Sequence, residues 1–386
     1  MSVKTSTPEQ SLVRNFEISY RLCEKIGLNA LDRNYRPNWR TVYPGTVNVF
    51  ALVQLLYLLG TERADLLQFL LILPHFLFTA QGFHKFILCT RRSSKIFALR
   101  CKLTEIQALL LETKSSGPVI CRTLNISRLL QTLIFVFYLA SVVLTILVPT
   151  MLWLVIDKKS FMFLFFVPGF DQYSTEGFLV NTILHAVILL AAFHAYTGYE
   201  CLFLGLIMPV GAYVDAFGNE VQELNSVLSL KERNDPAIRA RLNRIVKLHQ
   251  LMNEYKAMLE ELYNVLILST IGLNYLGIIS TIVVILKSND RMAYIFFALM
   301  FEILFRICLM GTIITVKNDQ LVGHLYNIEW YQLAPDQAKD LRFMLHQAQN
   351  PTSVTIGKYA LLNLEGYMSV LKSIYSYVMV LVTVLE

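Results

Sequence analysis

Few side chains in this 386-residue chain are equipped for chemistry, and most of those lie inside long apolar runs. Glu302 and Arg306 stand four apart, in the order that favours a helical ion pair. Ionisable groups at membrane depth often mark pathways, yet this pair can neutralise itself. His75, His185 and His194 are scattered. A zinc site needs three or four convergent ligands, so each lone histidine reads first as a hydrogen-bonded packing residue. No nucleophile elbow, phosphate-binding Gly-rich loop, zinc-ligand spacing or dinucleotide fingerprint occurs in the sequence. No catalytic residue, metal ligand or cofactor is therefore expected, and the chain does not read as an enzyme. The remaining polar pattern is in the last thirty residues, Gly357 to Glu386. There Ser369, Ser373, Ser376, Val380 and Thr383 recur at spacings of three and four, with Lys372 beside them. Hydroxyls and a lysine on one helical face suit water or other protein better than lipid. A small-residue packing seam and a pore wall narrowing at Val380 and Val384 both satisfy that pattern.

The elements that must position these residues are membrane helices. The chain is 55% hydrophobic and 16% charged, with a mean hydropathy of +0.50. Soluble domains carry roughly 25% charge. Runs at 42–60, 66–89, 129–156, 177–208, 263–287, 292–316 and 360–385 meet the ~20-residue requirement for crossing the hydrocarbon. The net charge of +6 comes from loops, which argues for topological bias rather than nucleic-acid binding. Arg33, Arg36 and Arg40 precede the first run, and Arg91, Arg92 and Lys95 follow the second. The positive-inside rule therefore places the amino terminus in the cytoplasm and the carboxyl terminus outside. Cys23, Cys89, Cys101, Cys121, Cys201 and Cys308 then fall on or near the reducing side, and no stabilising disulfide is expected. Asn125-Ile126-Ser127 would be an unused glycosylation pattern. The first forty residues are polar, with no cleavable signal apparent.

Between the runs, Ile96, Leu99, Leu103, Ile106 and Leu110 predict that the second helix continues inward, and Phe16, Tyr20 and Leu28 predict a short amphipathic helix on the membrane surface. Val221 to Tyr263 reads as a helical hairpin broken near Asn234-Asp235-Pro236, with a stripe of Ile238, Leu242, Ile245, Leu248, Leu251 and Met252 after the break. A further helix is expected from Leu321 to Tyr331. Together these predict a cytoplasmic helical anchor layer. On the other face, Phe161, Phe163, Phe165, Phe166, Pro168, Phe170 and Tyr173 make the loop from Asp157 to Glu176 aromatic enough to fold back as a lid. The outer helix halves present Phe69, Ile72, Leu73, His75 and Phe76, then Ser141, Leu144, Thr145, Val148 and Trp153, then Val180, Leu184 and His185, then Tyr294, Phe297 and Phe301. That mixture suits a small-molecule cavity, though any membrane bundle has apolar inner faces.

Near the carboxyl end, Tyr326-x3-Trp330-Tyr331-x-Leu333 is followed by Leu341-Arg342, Gln347-x-Gln349-Asn350-Pro351, Gly357-Lys358, Leu362-Asn363-Leu364 and Val370-Leu371-Lys372-Ser373-x-Tyr375-Ser376-Tyr377. This series resembles the carboxyl-terminal signature of insect odorant receptors. The modest second inner loop and Lys372-Ser373 resemble the odorant-tuning subunits rather than their shared co-receptor. The resemblance implies a heterotetrameric, ligand-gated, non-selective cation channel in the plasma membrane of olfactory sensory neuron dendrites. Its partners would be the co-receptor, a small volatile odorant and membrane lipid, with no nucleic acid. It implies subunit contacts through Trp330 and Tyr331, and a pore and gate along Ser373, Ser376, Tyr377, Val380, Thr383 and Val384. The alternative is a seven-helix chemoreceptor signalling through a cytoplasmic transducer. The expected architecture is an all-α integral membrane protein: a cytoplasmic segment at 1–40, a six-helix region with the outer ligand pocket at 41–316, an anchor at 317–359 and a pore-lining seventh helix at 360–386.

Overall fold

The computed structural model describes residues 7–157, 159–164, 166–167, 169, 171, 174–230, 235–288 and 290–385. Phe165, Pro168, Phe170, Tyr173, Asn234 and Glu386 lie outside the described residues. The helices are α1 (Pro8–Asn15), α2 (Glu17–Lys25), α3 (Trp39–Thr61), α4 (Leu66–Arg91), α5 (Ser93–Leu111), α6 (Ser116–Ile156), α7 (Thr175–Leu228), α8 (Asp235–Ser288), α9 (Arg291–Tyr326), α10 (Pro335–Gln349) and α11 (Leu364–Val384). Among the described residues, seven helices are long and apolar enough to cross a membrane: α3, α4, α6, α7, α8, α9 and α11.

The ends of these helices are written in local chemistry. Asn38, Asp65, Ser174, Asp290 and Asn363 each accept backbone N–H groups of the first turn of α3, α4, α7, α9 and α11. Such caps satisfy donors that have no carbonyl partner inside the helix. At the far end of α6, Asp157 closes the helix in the left-handed region at φ 53°.

Four helices are far longer than a bilayer requires, α9 with 36 residues among them. α7 and α8 have 54 residues each and α6 has 41. At 1.5 Å per residue the four reach about 55–80 Å, against ~30 Å of hydrocarbon. The surplus gathers on the side of α1 and α2, where it forms a helical layer with α5 and α10. Every residue of the α5 stripe, Ile96, Leu99, Leu103, Ile106 and Leu110, is fully buried there. The α8 stripe from Ile238 to Met252 is buried beside it.

Two expectations are revised. The second membrane helix does not run on: α4 stops at Arg91, and α5 begins at Ser93 after Arg92 leaves helical geometry. The helix expected at 321–331 is the end of α9, followed by a single 3-10 turn, Trp330–Gln332, and then α10. The apolar face of the amino-terminal helices packs on α6 and α7, with Phe16 and Leu28 buried against protein and Arg14, Arg21, Glu24 and Lys25 exposed. Asn15 donates to the Gly205 carbonyl at 2.9 Å and accepts from Ser127 at 2.6 Å and Gln131 at 3.2 Å, all buried. Glycines on α7 make the room, since a Cβ at Gly205 would meet the Phe16 ring at 3.1 Å and one at Gly198 would meet Cys23 Sγ at 2.7 Å.

A two-residue hairpin leads into α11. Strands β1 (Thr355–Ile356) and β2 (Ala360–Leu361) pair antiparallel. Gly357 and Lys358 both have positive φ, 59° and 67°, as a tight primed turn demands. Thr355 is held by the Glu260 carboxylate, through its backbone N–H at 2.8 Å and through its hydroxyl.

Candidate functional site

The far ends of α3, α4 and α7 enclose a separate apolar cluster. Ala51, Leu55 and Leu59 of α3, Ile72 of α4 and Ile188 of α7 form its buried centre, with Phe69, Leu73, Phe76, Phe163 and Leu184 packed around it. His75 and His185 are both buried beside this cluster. The His75 ring lies 4.4 Å from Phe296 and 6.5 Å from Phe163, edge-on to the latter. His185 meets Phe163 at 5.4 Å and Phe161 at 6.2 Å, again edge to face. Such geometry sets ring edges against π-faces.

The aromatic loop closes over these histidines. Gln54 of α3 grips Phe166 twice, donating to its carbonyl at 3.1 Å and accepting from its N–H at 3.2 Å. Asn181 of α7 accepts the Val167 N–H at 2.8 Å and donates to the Gly177 carbonyl at 2.8 Å. Met162 of the loop is itself buried. The lid is thus tied to two helices by side-chain amides, each able to donate and accept at once. Neither amide stands out in the sequence, because a single Gln or Asn in an apolar run is equally a packing residue.

The candidate ligand residues divide by helix face. Phe69, Ile72, Leu73, His75, Phe76 and Leu184 converge with the lid. Thr145 is buried on the inward stripe of α6 with Tyr138, Val142 and Pro149, and Ser141 and Val148 lie partly buried at its edges. Leu144 is 49% exposed and Tyr294 is 50% exposed, so both look outward. Phe297 and Phe301 stack on each other at 5.6 Å, and Phe301 turns edge-on to Tyr367 of α11 at 6.1 Å. The α9 ring that reaches His75 is Phe296, one residue from the expected phase. A helix advances 100° per residue, and an apolar run with no polar face does not reveal which side looks inward.

Below the lid the rings continue inward. Phe296 meets Phe78 at 5.8 Å, and Phe78 stacks on Tyr196 at 4.4 Å. Lys85 lies with its ammonium 4.8 Å from the Tyr196 ring centre and 5.3 Å from that of Tyr199. Lys85 also pairs with Glu200, whose other oxygen pairs with Arg306 at 2.8 Å. Arg306 completes the set with Glu302 at 2.6 Å, and Tyr138 donates to Glu302 at 3.4 Å. The expected Glu302–Arg306 pair is therefore half of a four-charge cluster joining α4, α7 and α9. Two cations and two carboxylates cancel, which is how charges persist where water is excluded.

α11 packs by one stripe and exposes the other. Tyr367, Ile374 and Val378 are buried against α8 and α9. Ser369, Lys372, Ser376, Tyr377, Val380, Thr383 and Val384 are exposed. Ser373 is half-buried and shares a hydrogen bond with the Tyr275 hydroxyl at 2.7 Å, while Tyr377 lies edge-on to the same ring at 6.3 Å. The start of α11 is locked to α9. The Leu364 N–H donates to the Thr312 hydroxyl at 2.9 Å, and a Cβ on Gly311 would stand 2.1 Å from the Leu362 carbonyl oxygen. In the helical layer Trp330 and Tyr331 are exposed and meet edge-on at 6.1 Å.

Comparison with known proteins agrees with this architecture. Residues 65–375 match the family model described as "7tm Odorant receptor". The chain is 25% identical over 312 residues to "Putative odorant receptor 83c" of Drosophila melanogaster, covering 76% of this chain and 78% of the relative. Its fold is similar to that of the insect olfactory receptor OR5 from Machilis hrabei, solved in complex with eugenol, with a TM-score of 0.81 at 16% identity. A second structure of the same receptor superposes with a TM-score of 0.80, also at 16% identity. Both alignments cover 97% of this chain and 98% of the other.

Proposed function

The chain belongs to the 7tm odorant receptor family of insects, and from that premise we propose that it is the odorant-sensing subunit of a heteromeric, ligand-gated, non-selective cation channel. The observation that carries this reading is the two-faced last helix. A helix that buries Tyr367, Ile374 and Val378 while exposing Ser369, Lys372, Ser376 and Thr383 has a polar stripe that lipid would penalise. Water on that stripe, enclosed by like helices of neighbouring subunits, removes the penalty. Val380 and Val384, nearer the end of the helix, supply a dry constriction.

In this reading the amino terminus is cytoplasmic, the carboxyl terminus is extracellular, and the protein resides in the plasma membrane of sensory dendrites. The helical layer with Trp330 and Tyr331 meets the co-receptor to build a heterotetramer. A small volatile odorant binds among Phe69, Ile72, Leu73, Phe76, His75, Thr145 and Leu184, under the lid. Ring against ring, the path from His75 through Phe296 and Phe78 to Tyr196 carries a shift at the lid towards the charge cluster. Phe297 and Phe301 give a second route, through Tyr367 to α11. Gating requires that the odorant bind the open arrangement more tightly than the closed one.

The test is patch-clamp recording of this chain co-expressed with an odorant receptor co-receptor, against a broad volatile panel. Odorant-evoked cation currents are expected. Phe76→Ala or Thr145→Ala changes the rank order of agonists, whereas Val380→Ala raises basal current or alters permeation and leaves the order unchanged. A Val380→Ala channel that differed only in odorant affinity would overturn the pore assignment. An epitope at the amino terminus should label only after permeabilisation.

A further inference from the structure

A long groove runs down the outer surface between α3 and α4, on the half of the membrane nearest α1 and α2. Its space is about 700 Å³, and its walls include Thr41, Val49 and Phe50 of α3 and Phe83, Phe86 and Arg91 of α4. Gly45 forms part of the floor, and its missing side chain lets the Phe86 ring lie against α3, since a Cβ there would stand 3.1 Å from Phe86 Cζ. Phe83 and Phe86 stack at 6.5 Å and make one continuous apolar wall.

The two ends of the groove differ in chemistry. From Thr41 to Phe50 the lining spans nine helical steps, about 14 Å at 1.5 Å each. That is close to one leaflet of a hydrocarbon layer of ~30 Å. The deep end is purely apolar. At the shallow end stands Arg91, exposed on the groove wall. Nearby, α3 begins with exposed Trp39, and the Arg40 guanidinium lies 5.5 Å from its ring centre. Tryptophan and arginine at a helix end mark the membrane–water boundary. An apolar trench one leaflet deep, ending in a cationic group at headgroup level, is complementary to one kind of molecule.

We propose that this groove is a binding site for an anionic phospholipid, with an acyl chain against Val49, Phe50, Phe83 and Phe86 and the net-negative headgroup on Arg91, which a zwitterionic headgroup would satisfy less well. The site rests on the membrane-spanning reading of α3 and α4 and not on odorant recognition, so its failure and that of the channel reading are separable.

The experiment is native mass spectrometry of the full-length protein in detergent micelles, titrated separately with dioleoylphosphatidylserine and dioleoylphosphatidylcholine. One phosphatidylserine per chain should be retained at concentrations where phosphatidylcholine is not. Arg91→Gln weakens retention about five-fold, the contribution of one basic residue near an anionic headgroup, and Arg91→Lys restores most of it. Val49→Trp, on an exposed groove wall, fills the trench and lowers retention with Arg91 intact, so it carries the test should Arg91→Gln fail to fold. Lys114→Gln, an exposed charge away from the groove, should match the wild type. Equal retention of the two lipids, or equal loss in Arg91→Gln and Lys114→Gln, overturns the proposal. So does a Val49→Trp protein that keeps its lipid but changes its oligomeric mass, which would mark the groove as a protein contact.

Discussion

Glu200 is the side chain on which most of the interior charge depends. It holds both Lys85 and Arg306, and all three are buried. Removing it leaves Lys85 without a carboxylate in a region that water does not reach. Glu200→Ala should cost about 3–5 kcal/mol, the usual penalty for orphaning a buried charge, and should appear as loss of monodisperse protein on size exclusion. Adding Lys85→Met to that variant should recover part of the loss, because the cation then goes with its partner. A second residue-scale prediction concerns pH. His249, buried in the helical layer, is pushed down to about 4 by desolvation, with Lys256 adding to the effect. Unfolded, its imidazole titrates near 6.5. Between those values the unfolded chain holds the extra proton, so the contribution is complete above about pH 6.5 and is lost as pH falls towards 4. Thermal unfolding at pH 4.5 and 7.5 should differ less in His249→Gln than in the wild type. Lys256 is itself pushed down to about 8 by burial, its ammonium donating to Asn318 at 2.9 Å. Stability should therefore rise again from pH 8 towards 10.5.

At the scale of elements, two junctions govern how the lid and the last helix are held. The lid is held on α3 by the paired bonds between Gln54 and Phe166. Gln54→Ala removes both, each worth about 1 kcal/mol net, and should speed hydrogen exchange at the Phe166 amide roughly ten-fold or more. The start of α11 is pinned where Gly311 passes the Leu362 carbonyl. Gly311→Ala forces those backbones apart at a cost of about 1–3 kcal/mol, measurable as a lowered Tm in micelles. Element type was legible for the apolar runs and the α5 and α8 stripes, which follow from local pattern, whereas the run expected at 360–385 opens with the short strand pair and becomes helix only at Leu364. Helix phase was legible only where a polar face existed. α11 has Ser369, Ser376 and Thr383 on the side the single chain leaves exposed, while Ser373 of the same expected stripe turns to Tyr275. α9 has apolar residues all round near Phe296, so which aromatic turns towards His75 depends on α4.

For the whole molecule, the helical layer is the part whose partners lie outside the chain. Exposed Tyr326, Trp330, Tyr331 and Phe343 are set on a layer that is otherwise well packed. In the proposed heterotetramer, Trp330→Ala with Tyr331→Ala should reduce co-purification with the co-receptor while the lone chain keeps its elution volume; equal loss of both would count against a subunit contact there. Composition and periodicity alone were sufficient for a seven-helix membrane protein with a helical layer outside the bilayer, since hydrocarbon admits few other backbones. The signature near the carboxyl end was sufficient for the family. Long-range packing was needed for the rest: α1 and α2 wedge beside Gly198 and Gly205, Lys85 and Glu200 complete what Glu302 and Arg306 begin, and Gln54 and Asn181 fasten the lid. These contacts join residues from 14 to 190 positions apart, and a local pattern records what a side chain can do but not which neighbour the fold brings to it.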